Sequence, residues 1–415
     1  MSYNQGPIQD DHEFPQWIQL ATLLLIALSI FGSFLPSIRM SFGSLFPFRI
    51  LLPIYVAVLI VAISLYGIYK IQIPEVTAAL FGFIILGMVG TLQAIPAGIS
   101  VKGAIVFSTR LLLLFGIILT LNTRRWVYRG WMVLFALVVL SFGVAMIEIS
   151  TGWHWAQGRL ATFPDIPPYS NWASAWYYNI NDFSFFVVIG TIPALILALK
   201  PATNYRTRIL FAIIWIIGVI ITFRIYSRAA VLTQFLVIIT AVALVRSHDI
   251  RGLLCQIPLK AGKVTLPTIG CFLAGVFYTV PNPINDVGSS LWIRWQLQKA
   301  AILEGGIIGQ GLGSASAIIG SSSINTGFVG DLAAPHSWYA AIISETGMLG
   351  LILFLTFYGG LLTKLVRKSD MNDPIPIIGV TALIALPVAG LGPSNALRLP
   401  TWWIVIGLSV STCKQ

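Results

Sequence analysis

The chain has 415 residues, 57% of them hydrophobic and only 9% charged, with a mean hydropathy of +0.87. A soluble globular domain carries about 25% charged residues, so this composition excludes a soluble fold and makes lipid the solvent. The formal net charge of +11 would suggest nucleic acid in a soluble protein. Here it reflects the collection of Lys and Arg in cytoplasmic loops, and no nucleic-acid partner is expected.

The hydropathy pattern predicts an all-α integral membrane protein, a single polytopic domain over residues 1–415 with about twelve transmembrane helices. In chain order the apolar spans are Trp17–Leu35, Phe48–Tyr69, Pro74–Leu92, Gly103–Leu121, Trp126–Ile149 and Asp182–Leu199. Ile209–Phe223, Ala229–Val245, Val264–Val280, Trp338–Leu362, Ile375–Leu391 and Thr401–Cys413 follow, of which the seventh and twelfth are short. Basic clusters follow the even spans: Arg124, Arg125 and Arg129; Lys200, Arg206 and Arg208; Arg246, Arg251, Lys260 and Lys263; Lys364, Arg367 and Lys368. All fall on one side, which is therefore read as cytoplasmic together with both termini. The start of the chain has no basic region followed by a small-residue cleavage site, so no cleaved signal peptide is read. Cys255, Cys271 and Cys413 lack metal-ligand spacing, so neither a zinc site nor a disulfide is expected.

Two longer loops then face outward, from about Ser150 to Asn181 and over residues 281–337. The second is partly helical by pattern. Leu291, Trp292, Trp295, Leu297, Ala300, Ala301 and Leu303 recur at roughly helical spacing, which predicts an amphipathic helix on the membrane surface or against the bundle. Gly305, Gly306, Gly309, Gly311 and Gly313 end it. No strand precedes these glycines, so a dinucleotide site is not expected.

The outward side should be poor in arginine, yet Arg39, Arg49, Arg110, Arg159, Arg224, Arg228, Arg294 and Arg398 lie on or near it. Each is costly beside the apolar slab without a partner. Guanidinium groups pair with phosphate oxygens in a bidentate fork, so a lipid diphosphate is the simplest shared partner. The bland alternative is that several snorkel, or pair with Glu148, Asp165 or Asp286. Arg110 lies inside a span and must face a wet cavity or pair internally.

Pro335-His336-Ser337-Trp338-Tyr339, continuing through Glu345-Thr346-Gly347-Met348-Leu349-Gly350-Leu351, resembles the signature that closes the large periplasmic loop of the O-antigen ligase and exopolysaccharide polymerase family. Ser337 stands where Asn is more usual. Asn179-Ile180-Asn181-Asp182-Phe183, Tyr226-Ser227-Arg228-Ala229-Ala230, and Arg294-Trp295 with Gly309-Gln310-Gly311-Leu312-Gly313 resemble three further segments of that family, in the same order. The resemblance covers roughly residues 150–365.

It implies transfer of a glycan from an undecaprenyl diphosphate-linked oligosaccharide to a hydroxyl of an acceptor glycan or lipid A core. The reaction would lie at the periplasmic face of a bacterial inner membrane, without metal, nucleotide sugar or other cofactor. The sequence also lacks an Asp-x-Asp pair for a metal-bound nucleotide donor.

On that reading His336 is the general base, since an imidazole with its ordinary pKa of about 6.5 can accept a hydroxyl proton. Arg228 and Arg294 grip the leaving diphosphate. Arg159 and Arg224 are further candidates for substrate binding. Asp182 either caps its helix or contacts sugar hydroxyls. Trp295 and Trp338 either stack on sugar rings or mark the interface, as Trp292 would. Glu345, nine residues after His336, falls on the opposite face of a continuous helix and is read as structural. The rival class is a twelve-span transporter or flippase. Against it, the largest loop does not separate two six-span halves.

Overall fold

The computed structural model describes residues 14–31, 38–40, 43–45, 47–66, 77–94, 101–154, 173–177, 179–200, 204–225, 227–246, 290–321, 335–368, 372–393 and 396–413. In chain order these form α1 (Gln16–Phe31), β1 (Ile38–Met40), β2 (Gly43–Leu45), α2 (Pro47–Tyr66), α3 (Thr77–Ala94), α4 (Val101–Thr120) and α5 (Arg124–Thr151). Then come α6 (Ile180–Gly190), α7 (Ile192–Leu199), α8 (Tyr205–Arg224), α9 (Arg228–Arg246), α10 (Ser290–Gly305) and α11 (Ala315–Ser321). The chain closes with α12 (Trp338–Lys368), α13 (Pro374–Ala389), a 3₁₀ turn (Ala396–Arg398) and α14 (Pro400–Thr412).

Among the described residues seven stretches are long and apolar enough to cross a bilayer: Pro47–Leu65, Gly103–Thr120, Arg124–Thr151, Ile180–Leu199, Tyr205–Arg224, Arg228–Arg246 and Trp338–Arg367. Gln16–Phe31, Thr77–Gln93 and Pro374–Ala389 are shorter apolar helices. The chain is thus a multi-pass α-helical membrane protein. The stretch 264–280, read as a ninth span, lies outside the described residues.

Three departures from the sequence reading have local causes. The seventh span, read as short, is a 20-residue helix because Asn204 caps it, its Oδ1 accepting Arg206 N–H at 3.1 Å. Tyr205, Arg206 and Arg208 therefore belong to the first turn rather than to a loop. The sixth span is broken at Thr191, between α6 and α7, with Pro193 opening the second piece. And the chain is not wholly helical: β1 and β2 pair antiparallel, Ile38 opposite Leu45.

Helices α6, α7, α13 and α14 are buried along most of their length, with Phe183, Phe185, Phe186, Trp402 and Trp403 among the largest buried side chains. Helices α8 and α9 are peripheral. Ile209, Leu210, Ile213, Ile216, Ile220 and Phe223 of α8, like Leu232, Phe235 and Ile239 of α9, leave large apolar side chains exposed at helical spacing. In water such a surface would be a liability; in a bilayer it is the required exterior. Inside, α1, α2 and α4 share a hydroxyl cluster, Thr22 Oγ1 lying 2.7 Å from both Tyr55 Oη and Thr120 Oγ1. Such cross-helix hydrogen bonds contribute about 0.6 kcal/mol each in a membrane.

Two of the basic clusters meet at one end of the bundle. Arg124 pairs with Asp373 at 2.7 Å, and Lys200 donates to the Asn372 carbonyl. The family-like segments lie at the opposite end.

Candidate functional site

The frame of this opposite end is the C-terminal end of α13 and the turn after it. Trp338, the first residue of α12, donates its indole N–H to the Pro387 carbonyl at 3.0 Å. Arg294 of α10 reaches the Leu391 carbonyl with Nη1 at 3.4 Å. Gly392 lies against Ser227 and Ala229 at the start of α9, where a Cβ on it would fall 3.5 Å from that of Ala229. Ser227 in turn donates its hydroxyl to Asn181 Oδ1 at 3.2 Å, tying the start of α9 to the start of α6. The four segments singled out by pattern, distant in sequence, therefore meet around residues 387–392.

Helix α10 packs on α12. Its buried stripe is Leu297, Ala300 and Ala301, with Ile302 beside it, narrower than the apolar face expected from the pattern; Leu303 is exposed. Small residues at 300 and 301 let the two helices approach closely. Gln298 accepts a hydrogen bond from the Tyr339 hydroxyl at 2.8 Å. Arg294 lies one turn before Gln298, and His336 three residues before Tyr339, so this contact brings both segments to the same junction.

His336 has φ +48°, in the left-handed region, just before the first turn of α12. That conformation is uncommon for a residue with a Cβ, although His tolerates it better than most. Ser337 caps the turn, its Oγ accepting Ala340 N–H at 3.4 Å. Because His336 sits outside the helix, the helical-phase comparison with Glu345 does not apply to it. Helix α12 is also interrupted at Gly347, whose φ and ψ are +74° and −179°.

Arg294 is half-buried and Arg228, at the first position of α9, is exposed. Burial lowers the proton affinity of the Arg294 guanidinium, and the positive charge of Arg228 lowers it further. The two cations thus act on each other, an unfavourable arrangement unless an anion lies between them. Arg224 ends α8 and is exposed, four residues before Arg228. Arg159 lies outside the described residues, as do Cys255 and Cys271.

Asp182 does not cap its helix. Asn179 does so, accepting Asn181 N–H at 2.9 Å. Asp182 lies in the first turn, with Oδ1 buried and without a hydrogen-bond partner among the described residues. Trp295 is half-buried on α10. Trp338 packs on Trp402, Phe354 and Tyr339, with ring centroids about 6 Å apart. Its ring and its N–H are both engaged within the protein.

The glycine run has a structural role that its pattern did not reveal. Gln310 and Gly311 donate backbone N–H groups to the Ser344 and Glu345 carbonyls, while Met348 and Leu349 donate to Gly306 and Ile307. A Cβ at Gly309 would meet the backbone of residues 345–347 at about 2.5 Å, and one at Gly313 would meet Gly103 Cα at 2.1 Å. The run is thus a bare backbone ribbon threaded between the α12 kink and helices α3 and α4.

Three further features carry no local sequence motif. Arg110 Nε donates to the Arg398 carbonyl at 3.1 Å, and Arg398 Nη2 donates to the Gly313 carbonyl at 3.1 Å. Tyr177 is buried; burial raises its hydroxyl pKa far above the usual value, and Asp182 and Arg110 both act on it. Glu148, a candidate partner for the outward arginines, holds the 173–177 turn: its Oε2 accepts Ser174 and Ala175 N–H groups at 2.8 and 2.7 Å. His154 Nδ1 lies 3.5 Å from its other oxygen. Among the described residues no three His, Cys, Asp or Glu side chains cluster as a metal site would require. Set against known proteins, the chain matches no family model, no curated protein and no solved structure.

Proposed function

We propose that the chain is a membrane glycosyltransferase of the O-antigen ligase and polymerase type. It would transfer a glycan from an undecaprenyl diphosphate donor to an acceptor hydroxyl at the face opposite the basic loops. The observation that carries this reading is the convergence of the Asn181, Arg228, Arg294 and His336 segments at one end of the bundle. That convergence includes a pair of arginines in mutual repulsion.

In this reaction the acceptor oxygen attacks the anomeric carbon and gives its proton to the His336 imidazole. The bond from that carbon to the diphosphate oxygen breaks, and polyprenyl diphosphate leaves with the bonding pair. Arg228 and Arg294 offset the charge that develops on the leaving group. Both arginines present planar donor forks suited to phosphate oxygens. The twelve-span topology, with the basic loops cytoplasmic and the site periplasmic, belongs to the same proposal.

The test is to incubate purified protein with lipid-linked oligosaccharide, alone and with a lipid A core acceptor. Chain growth in the first mixture assigns a polymerase, and product only in the second assigns a ligase. Absence of product from both mixtures contradicts the proposal.

A further inference from the structure

The arginines of α2, α4 and the 3₁₀ turn remain unused by the transfer reaction. Arg110 lies halfway along α4, inside an apolar stretch that spans a bilayer by length. A cation at such depth requires a counter-charge or a wet cavity. The guanidinium of Arg110 stands 5.5 Å from the centre of the Phe48 ring, and Arg49, one residue on, is its electrostatic neighbour. Among the described residues neither Arg110 nor Arg398 makes an ion pair with a carboxylate. Each directs a hydrogen bond to a backbone carbonyl, of Arg398 and Gly313 respectively. A guanidinium has five N–H donors, so most remain for another partner. Tyr177 acts on Arg110, and Asp182 acts on Tyr177.

We propose that Arg110 and Arg398, with Arg49 beside them, form a second anion site that takes a phosphate-type headgroup on a lipid. The charge that acts on Arg294 is Arg228 and the one that acts on Arg110 is Arg49, so the two pairs are distinct. Two sources share the chemistry. One is the diphosphate of a second lipid-linked saccharide, bound while the first is held by Arg228 and Arg294; the other is the phosphate of a bilayer phospholipid. Planar donor forks, an aromatic face under one guanidinium, and the lack of a carboxylate partner for Arg110 and Arg398 among the described residues all suit such a group. The proposal needs only these cations and stands whether or not glycan transfer occurs.

The experiment uses full-length protein in uncharged detergent, with Arg228→Ala and Arg294→Ala introduced together so that the first site is silent. Inorganic pyrophosphate should still raise the unfolding temperature saturably. Adding Arg110→Gln and Arg398→Gln should weaken the half-saturating concentration on the order of tenfold to hundredfold, as loss of charge-assisted contacts does. If the double Gln variant does not fold, Arg110→Lys keeps the charge and should weaken binding through loss of the fork. Farnesyl diphosphate outcompeting phosphatidylglycerol identifies a substrate diphosphate, and the reverse order identifies a bilayer lipid; either supports the site. An unchanged unfolding temperature with pyrophosphate overturns it. So does an equal response to sodium chloride at matched ionic strength, or a response that survives both the Gln and the Lys substitutions.

Discussion

The two ends of the bundle use the same residue type under opposite conditions. At one end Arg124 is two-thirds exposed and pairs with Asp373, Lys200 and Arg208 reach backbone carbonyls, and Arg129 lies over the Trp126 ring. These charges have water or an acid to hand, and such surface pairs contribute about 0–1 kcal/mol. At the other end Arg294 and Arg110 are only partly exposed, each beside a second arginine. Charge at the first end follows from topology. Charge at the second sets arginine beside arginine, the arrangement on which the proposed anion sites rest.

The largest effect expected at the second end is on chemistry. Replacing a general base typically removes about 10²–10⁴-fold in rate. His336→Ala should therefore abolish measurable glycan transfer while donor binding, followed with labelled lipid, stays near normal. Near-normal turnover would return His336 to a mere helix-start residue. Next come the clamp arginines: Arg294→Ala should lower activity roughly tenfold to hundredfold, whereas Arg294→Lys should retain part of it, since Lys supplies charge without the fork.

Between the ends, the glycine ribbon should respond through stability. At Gly347 a Cβ would meet the Ile307 carbonyl oxygen at 2.1 Å, on a backbone with φ +74°. Gly347→Ala should destabilise by more than about 1 kcal/mol, read as a lower unfolding temperature in detergent. Unchanged stability would mean that the ribbon does not pass so close to α12.

A smaller effect should follow pH. Burial holds the His154 imidazole below its ordinary pKa despite the Glu148 carboxylate nearby. The unfolded chain takes up this proton near pH 6.5, and the folded chain only at lower pH. Stability from this group is full above about pH 6.5 and falls as pH drops toward the folded value. His154→Gln should flatten that part of the curve, and an identical curve in the variant would refute it. Smallest of all, Arg124→Ala should change stability by about 1 kcal/mol or less, and a larger loss would erase the contrast between the two ends.

How far these features could be read from sequence depends on the range of the interaction that creates them. Hydropathy is local, so the apolar helices among the described residues could be placed to within a few residues, apart from α8, whose polar first turn looks like a loop until Asn204 is seen to cap it, and α12, which runs on through Lys364, Arg367 and Lys368. The His336, Arg228 and Arg294 segments could be picked out by pattern, but their meeting at residues 387–392 depends on packing between helices far apart in the chain. The cap at Asn179, rather than Asp182, was a matter of three residues that only backbone geometry separates. The Arg110–Arg398 contact spans 288 positions and joins a helix interior to a 3₁₀ turn, with no motif at either side.

The central claim is that Arg228 and Arg294 bind the diphosphate of the donor. It is tested most directly by equilibrium binding of lipid-linked oligosaccharide to purified wild-type protein and to the Arg228→Ala/Arg294→Ala variant, with acceptor binding measured in parallel. The account predicts donor affinity at least tenfold weaker in the variant, as expected for loss of charge-assisted contacts, and acceptor affinity unchanged. Equal donor affinity in the two proteins, or an equal loss for donor and acceptor, would contradict it.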